Sequence, residues 1–252
     1  MKKYIVITGA SSGIGAAAAK AFAGCGENLI LIARRAELLQ KIKDEIAKIS
    51  PEPDVVIKIC DLARSENVLV LWDELKSYEL KALINSAGFG DYGAVGERDL
   101  AKVSQMLRLN VLSLALLSHL FVRDYKYKPA QLINISSAGG YSMVPNAVTY
   151  CASKFFVSAF TEGLHHELAQ DKDAKMQAKV LAPAATRTEF GPVATDDAGY
   201  DYDAAFKRYH SSEEMAEFLL ALYHSDACVG AVDRNNFEFS LQAPRFDYAG
   251  KR

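Results

Sequence analysis

Hydrophobic positions along this chain fall into short apolar runs separated by stretches of helical period. Residues 4–8 form a β-rich run, and 14–24, rich in alanine, read as a helix. The run Asn-Leu-Ile-Leu-Ile-Ala at 28–33 is almost continuously apolar, as a strand buried on both faces requires. Leu38, Leu39, Ile42, Ile46 and Ile49 recur at helical spacing, and Ser50-Pro51 ends that helix. The alternation continues: strand 55–60, helix 66–78, strand 80–85, a long helical stretch 99–125, strand 131–136, helix 149–169 and strand 177–181.

Strands separated by helices of this length need crossover connections, hence a parallel sheet covered on both sides. Six strands in two sets of three predict an α/β fold: a doubly wound, Rossmann-like, three-layer αβα sandwich. No Pro/Ser-rich linker breaks the chain, so residues 1–252 are expected to form a single domain. One irregular stretch follows the sixth strand, with Asp196, Asp197, Asp201 and Asp203 set among Tyr200, Tyr202 and Tyr209. A segment this long predicts a substrate lid over about 184–210.

Composition narrows the function classes. The 252 residues are 50% hydrophobic and 24% charged, which excludes a disordered chain. With 29 basic against 31 acidic residues there is no global field for a polyanion, so no nucleic-acid partner is expected. No apolar run approaches the ~18 residues of a spanning helix, and Met1-Lys2-Lys3 precedes no signal-peptide core. Neither membrane association nor export is expected. Cys25, Cys60, Cys151 and Cys228 are far apart, as reduced thiols of a cytoplasmic protein would be. His165 and His166 are adjacent and diverge by about 100° on a helix, so no metal site is expected.

Candidate chemistry begins at the first turn. Strand 4–8 runs into Gly9-Ala10-Ser11-Ser12-Gly13-Ile14-Gly15 and then directly into a helix. Glycines permit the tight turn, and the helix N-terminus offers free N–H donors and partial positive charge to a pyrophosphate. The same five residues also fit the G-x-S-x-G elbow of serine hydrolases. That elbow needs an oxyanion hole built from an earlier strand–helix loop, and only eight residues precede Gly9. At the end of the second strand, where a carboxylate often meets the ribose 2′-hydroxyl, stand Arg34 and Arg35. Two guanidinium groups suit a 2′-phosphate, with Ser11 or Ser12 adding a hydroxyl, so the expected cofactor is NADP(H).

Tyr150-Cys151-Ala152-Ser153-Lys154 puts Tyr and Lys on one helical face, just after a strand that ends in Ser136-Ser137. Together with Thr8-Gly9 through Gly15, Asn85-Ser86-Ala87-Gly88 and Asn110, these residues resemble the short-chain dehydrogenase/reductase family of single-domain type. The likeness is dense over 3–190 and looser beyond. It implies a hydride exchange between the cofactor and a carbonyl or alcohol. Tyr150 would be the acid/base, Lys154 would lower its pKa, Ser137 would hold the substrate oxygen, and Asn110 would position a relay water. Ser137 is preferred to Ser136 for its thirteen-residue interval to Tyr150.

Further cofactor contacts implied by the resemblance are Gly9, Gly13, Ile14, Gly15, Asp61, Leu62, Asn85, Ala87, Gly88, Pro183, Thr186 and Thr188. Ala184 stands where the family commonly has glycine. The expected substrate pocket takes Phe89, Tyr92, Gly139, Tyr141, Met143, Val144, Phe190 and Tyr202, an apolar and aromatic set suited to a hydrophobic ketone. The acidic lid is expected to disfavour anionic substrates. A homodimer or homotetramer paired through helices 99–125 and 150–169 is implied as well. A non-catalytic NADP(H)-sensing protein is the alternative reading.

Overall fold

Side chains of the first two strands alternate between two cores. In β1 (Lys3–Thr8) and β2 (Asn28–Ala33), Ile5, Ile7, Leu29 and Leu31 face one helical layer, while Val6, Ile30 and Ile32 face the other. That is why the stretches Ile5–Ile7 and Leu29–Ala33 are apolar at every position. The computed structural model, which describes residues 2–249, continues with α1 (Gly13–Gly24), α2 (Ala36–Ile49), β3 (Val55–Ile59), α3 (Ser65–Leu75) and β4 (Glu79–Asn85). A long helix follows as α4 (Leu100–Leu107), a π turn (Arg108–Ser113) and α5 (Leu114–Tyr125). Then come β5 (Gln131–Ile135), α6 (Val148–Gln170) and β6 (Gln177–Ala182). Two short helices, α7 (Phe190–Thr195) and α8 (Tyr202–Ala205), precede α9 (Ser212–His224), β7 (Val229–Val232) and β8 (Phe239–Gln242).

The strands form one eight-stranded sheet in the order β3-β2-β1-β4-β5-β6-β7-β8, parallel except for β8. The doubly wound, three-layer expectation is met, with two strands more than the six predicted. Helices α1, α2 and α9 cover one face through alanines of α1 and Leu219 and Leu222 of α9. Helices α3, α5 and α6 cover the other through Trp72, Phe121 and Leu164.

Two further differences from the sequence expectation concern the helix after β4. Its middle is a π turn, so the segment 99–125 is not one regular α-helix. The helical run Leu100–Tyr125 is also long and apolar enough, by length and composition, to cross a membrane, contrary to the expectation that no segment is. In the fold its Leu117, Phe121 and Tyr125 are buried against the sheet.

Candidate active site

Every parallel strand from β1 to β6 ends at the same edge of the sheet, and the loops leaving those ends surround a cavity of about 710 Å³. The order reverses between β1 and β4, where an open α/β sheet provides its binding crevice. Gly9 opens the first loop with φ +69°, and a side chain there would strike the Ala87 backbone at 2.8 Å. At Gly15 a Cβ would lie 2.4 Å from the Gly9 carbonyl oxygen. The turn is therefore closed by contacts that only glycine permits. Thr8 Oγ1 accepts hydrogen bonds from the N–H groups of Ser86 and Ala87 at 3.0 and 3.1 Å, tying the β1 and β4 loops together.

Ser12 is the N-cap of α1 but makes no side-chain cap, so its hydroxyl leaves the first amides of the helix open. It accepts instead from Arg35 Nη2 at 2.7 Å. Arg35 also reaches Ser11 Oγ at 3.1 Å and Glu189 Oε2 at 2.8 Å, an ion pair across the cavity mouth. Arg34 lines the same cavity, with no ion-pair partner among the described residues. Asp61 and Leu62 form the next wall; the Asp61 carboxylate accepts from Ala63 N at 3.1 Å. An open helix N-terminus, a glycine cradle and two arginines fit the pyrophosphate and ribose end of a dinucleotide. No histidine lines this cavity, and Ser11 is engaged by Arg35 rather than by a base, which leaves the hydrolase elbow without its partner.

At the other end α6 presents Tyr150 and Lys154 on its buried side, each less than a tenth exposed. Ser137 lines the same cavity wall as Tyr150, and its hydroxyl accepts from Gly139 N at 3.0 Å. Ser136 also borders the cavity, but its hydroxyl is taken up by Lys154 O at 3.0 Å and Ser158 Oγ at 2.7 Å. Burial pushes the Tyr150 phenol well above its ordinary value, with Ser137 opposing. Burial lowers Lys154 to about 8, and its amine donates to Ile135 O at 2.9 Å. Burial is the largest influence on the phenol in this site.

Asn110 sits in the π turn, where the extra residue in the coil turns its amide toward the β4–α4 loop. It donates to Phe89 O at 2.9 Å and accepts from Phe89 N at 3.2 Å, fixing that loop rather than lining the cavity. Its remaining bond is to Ser153 Oγ at 3.3 Å, not to Lys154.

Most other expected residues line the cavity: Gly13, Ile14, Ala87, Gly88, Gly139, Val144, Pro183, Thr186, Thr188, Phe190 and Tyr202, with Phe89 and Tyr92. Three do not. Asn85 is buried between strands, donating to Asn134 Oδ1 at 3.0 Å and Ser118 Oγ at 3.3 Å. Tyr141 turns to the far side of α6, where its hydroxyl donates to Glu162 at 2.5 Å and its ring stacks on Phe246. Met143 points to solvent at 60% exposure. Ala184, in the position of the family's glycine, needs no positive φ.

The acidic residues of 196–203 are also elsewhere than expected. Asp196 pairs with Arg98 and Lys102, and both bases also hold the buried Asp91. Asp197 and Asp201 cap backbone amides, Asp203 accepts from Tyr209, and none of these carboxylates lines the cavity. The sequence reading missed Glu189 and also Arg234 and Phe237, which reach the cavity from the β7–β8 hairpin. Only the hairpin itself, an unrecognised pair of short strands, could have signalled them.

With the geometry in hand, comparisons with known proteins agree. A family model described as short chain dehydrogenase matches residues 3–198. Farnesol dehydrogenase of Aedes aegypti is 29% identical over 79% of this chain and 83% of its own. Sulfoacetaldehyde reductase 2 of Chromohalobacter salexigens is 30% identical over 87% of each. A solved short-chain dehydrogenase from Sphingobium yanoikuyae in complex with NADPH superposes with TM-score 0.82 at 26% identity, covering 91% of this chain and 87% of that one.

Proposed function

The chain belongs to the short-chain dehydrogenase family, and on that premise we propose that it is an NADP(H)-dependent carbonyl reductase acting on hydrophobic or aromatic ketones and aldehydes. The observation that carries this reading is that Ser137, a buried Tyr150 and Lys154 line one wall of the same cavity. A nicotinamide cofactor in this cavity would supply the hydride. Ser137 holds the carbonyl oxygen, and Tyr150, kept protonated by burial, gives it a proton. Lys154, tethered to Ile135 O, supports the ribose side of the site and returns a proton toward Tyr150. Asn110 acts one layer back, holding the Phe89 backbone that shapes the cavity. Tyr92 and Phe190 stand against the Tyr150 ring at centroid distances of 5.8 and 5.2 Å, and the aromatic walls exclude water from the reacting carbonyl.

Under this reading residues 1–252 are one catalytic domain and the segment 184–210 is its lid. The 2′-phosphate of NADP(H) falls to Arg34 and Arg35. The chain works in the cytoplasm, where its four unpaired cysteines stay reduced. It assembles as a homodimer or homotetramer through the helical run 100–125 and α6, whose outer faces leave Leu107, Leu112 and Phe156 exposed. Membership alone leaves the substrate open, since one relative is named for farnesol and another for sulfoacetaldehyde.

The test is Tyr150→Phe. Carbonyl-dependent NADPH consumption should fall by roughly a thousandfold, the scale of a lost general acid, while NADPH still binds. Retained turnover would remove Tyr150 from the reaction and with it this mechanism.

A further inference from the structure

At the substrate end of the cavity one arginine has no carboxylate partner among the described residues. Lys102 donates to Asp91, Asp196 and the Val193 carbonyl, and Arg35 is paired with Glu189. Arg34 lies at the nucleotide end. Arg234 is different: it stands at the substrate end, it lines the cavity, and no carboxylate pairs with it among the described residues. Its side-chain hydrogen bond, from Nη1 to Ser142 Oγ at 2.9 Å, goes to a neutral hydroxyl. Ser142 in turn donates to Ala138 O at 3.1 Å, in the loop that carries Ser137. The guanidinium is thus braced on the catalytic-serine loop rather than swinging freely.

The hairpin is built to keep it unpaired. The neighbouring carboxylate, Asp233, turns inward to accept from the amides of Asn235 and Asn236 at 2.7 and 3.2 Å. Glu238 accepts from Asn236 Nδ2 at 2.9 Å. Phe237, beside Arg234 on the cavity wall, holds φ +60°, a conformation costly for a bulky side chain. Arg208 fastens the hairpin from the far side, donating to Asn236 O at 2.9 Å. The field of Arg234 also reaches Tyr92, the ring that packs on Tyr150. The acidic residues expected over this pocket are engaged elsewhere, and Glu189, which does line it, is paired with Arg35.

We propose that Arg234 is a specificity residue: its free guanidinium receives an anionic oxo group, carboxylate or sulfonate, on a carbonyl substrate whose apolar part lies against Tyr92 and Phe190. The proposal rests on the carbonyl-reductase reading for its chemistry, but the anion site itself does not need turnover. A guanidinium presents paired N–H donors to such a group, and a charge-assisted pair of this kind is stronger than a neutral hydrogen bond.

The probes are 3- and 4-acetylbenzoate, the matching acetylbenzenesulfonates, and the methyl esters of the two acids. With NADPH, the free acids or the sulfonates should exceed the esters in kcat/KM by about tenfold or more, through KM, and the preference should shrink as salt rises. Arg234→Met should erase that ratio, and Arg234→Lys should restore part of it. The arm that responds more, carboxylate or sulfonate, identifies the group. An unchanged ratio in Arg234→Met, or a wild-type preference for the esters, overturns the proposal. Binding is read separately by thermal shift with benzoate and benzenesulfonate against equal sodium chloride. Stabilisation of the wild type that Arg234→Met loses supports the anion site even if no ketone is reduced, an outcome that would sink the reductase reading alone. Equal shifts in both proteins overturn the site.

Discussion

Arg34 and Arg35 are neighbours in sequence but not equivalent in the fold. Arg35 is held by Ser11, Ser12 and Glu189, and part of its charge is balanced before any ligand arrives. Arg34 stands exposed at the cavity edge with no ion-pair partner among the described residues. On the proposed NADP(H) reading, this free guanidinium is the group that meets the 2′-phosphate. Arg34→Ala is therefore expected to weaken NADPH by about tenfold or more, the worth of a charge-assisted bond, and NADH by much less. Titration of both cofactors into wild type and variant measures it; equal weakening would take the preference away from Arg34. At this scale the turn glycines were legible because a tight turn fixes them locally, whereas Ser137, Tyr150 and Lys154, which line one cavity, were singled out by resemblance to a family. Glu189 was not, because its partner lies 154 residues away.

Among the elements, β6 carries the least expected side chain. Lys179 interrupts its apolar run, yet it is 1% exposed. Its amine donates to the carbonyls of Leu222, Tyr223 and Ser225, closing the C-terminus of α9. Burial lowers its pKa to about 8 from 10.5. Below pH 8 both folded and unfolded chains carry the proton, and the folded state bears the cost of a buried charge. Between 8 and 10.5 the unfolded chain binds more protons, so this group adds stability as pH rises, by up to about 3 kcal/mol. Urea unfolding of wild type and Lys179→Met across pH 7–10 should show the wild type gaining relative to the variant through that window. Parallel curves would assign the lysine an unshifted pKa. The same scale explains what the pattern hid. The π turn at Arg108–Ser113 keeps the apolar rhythm of its flanks, so nothing in the sequence marks the extra residue. Strands β7 and β8 are four residues each, too short for alternation to register.

Across the whole molecule, the segment after β6 is fastened to the opposite rim by charge. Arg98 and Lys102 each bridge Asp91, from the β4–α4 loop, to Asp196 at the end of α7. Burial works against Asp91, but hydrogen bonds from Arg98 and Lys102 hold its carboxyl below the ordinary range. Asp196→Asn keeps the Asp91 pairs and removes the strut to α7. Amide exchange over 190–206 should then quicken several-fold, with the sheet unchanged. Unaltered exchange there would mean that the Tyr202 hydroxyl, bonded to Gly191 N and Thr188 O, is sufficient to hold the segment. The doubly wound order was readable from alternating periods alone, whereas this cross-rim network joins acids and bases 98 and 94 residues apart.

The β7–β8 hairpin ends the sheet on one side and walls the cavity on the other. Its turn, 233–236, is exposed, and no residue of it belongs to the Ser137, Tyr150 and Lys154 group. On the proposed reading, the residues for substrate choice and those for hydride transfer lie on separate stretches of chain, so a library randomised only at the turn samples the first without touching the second.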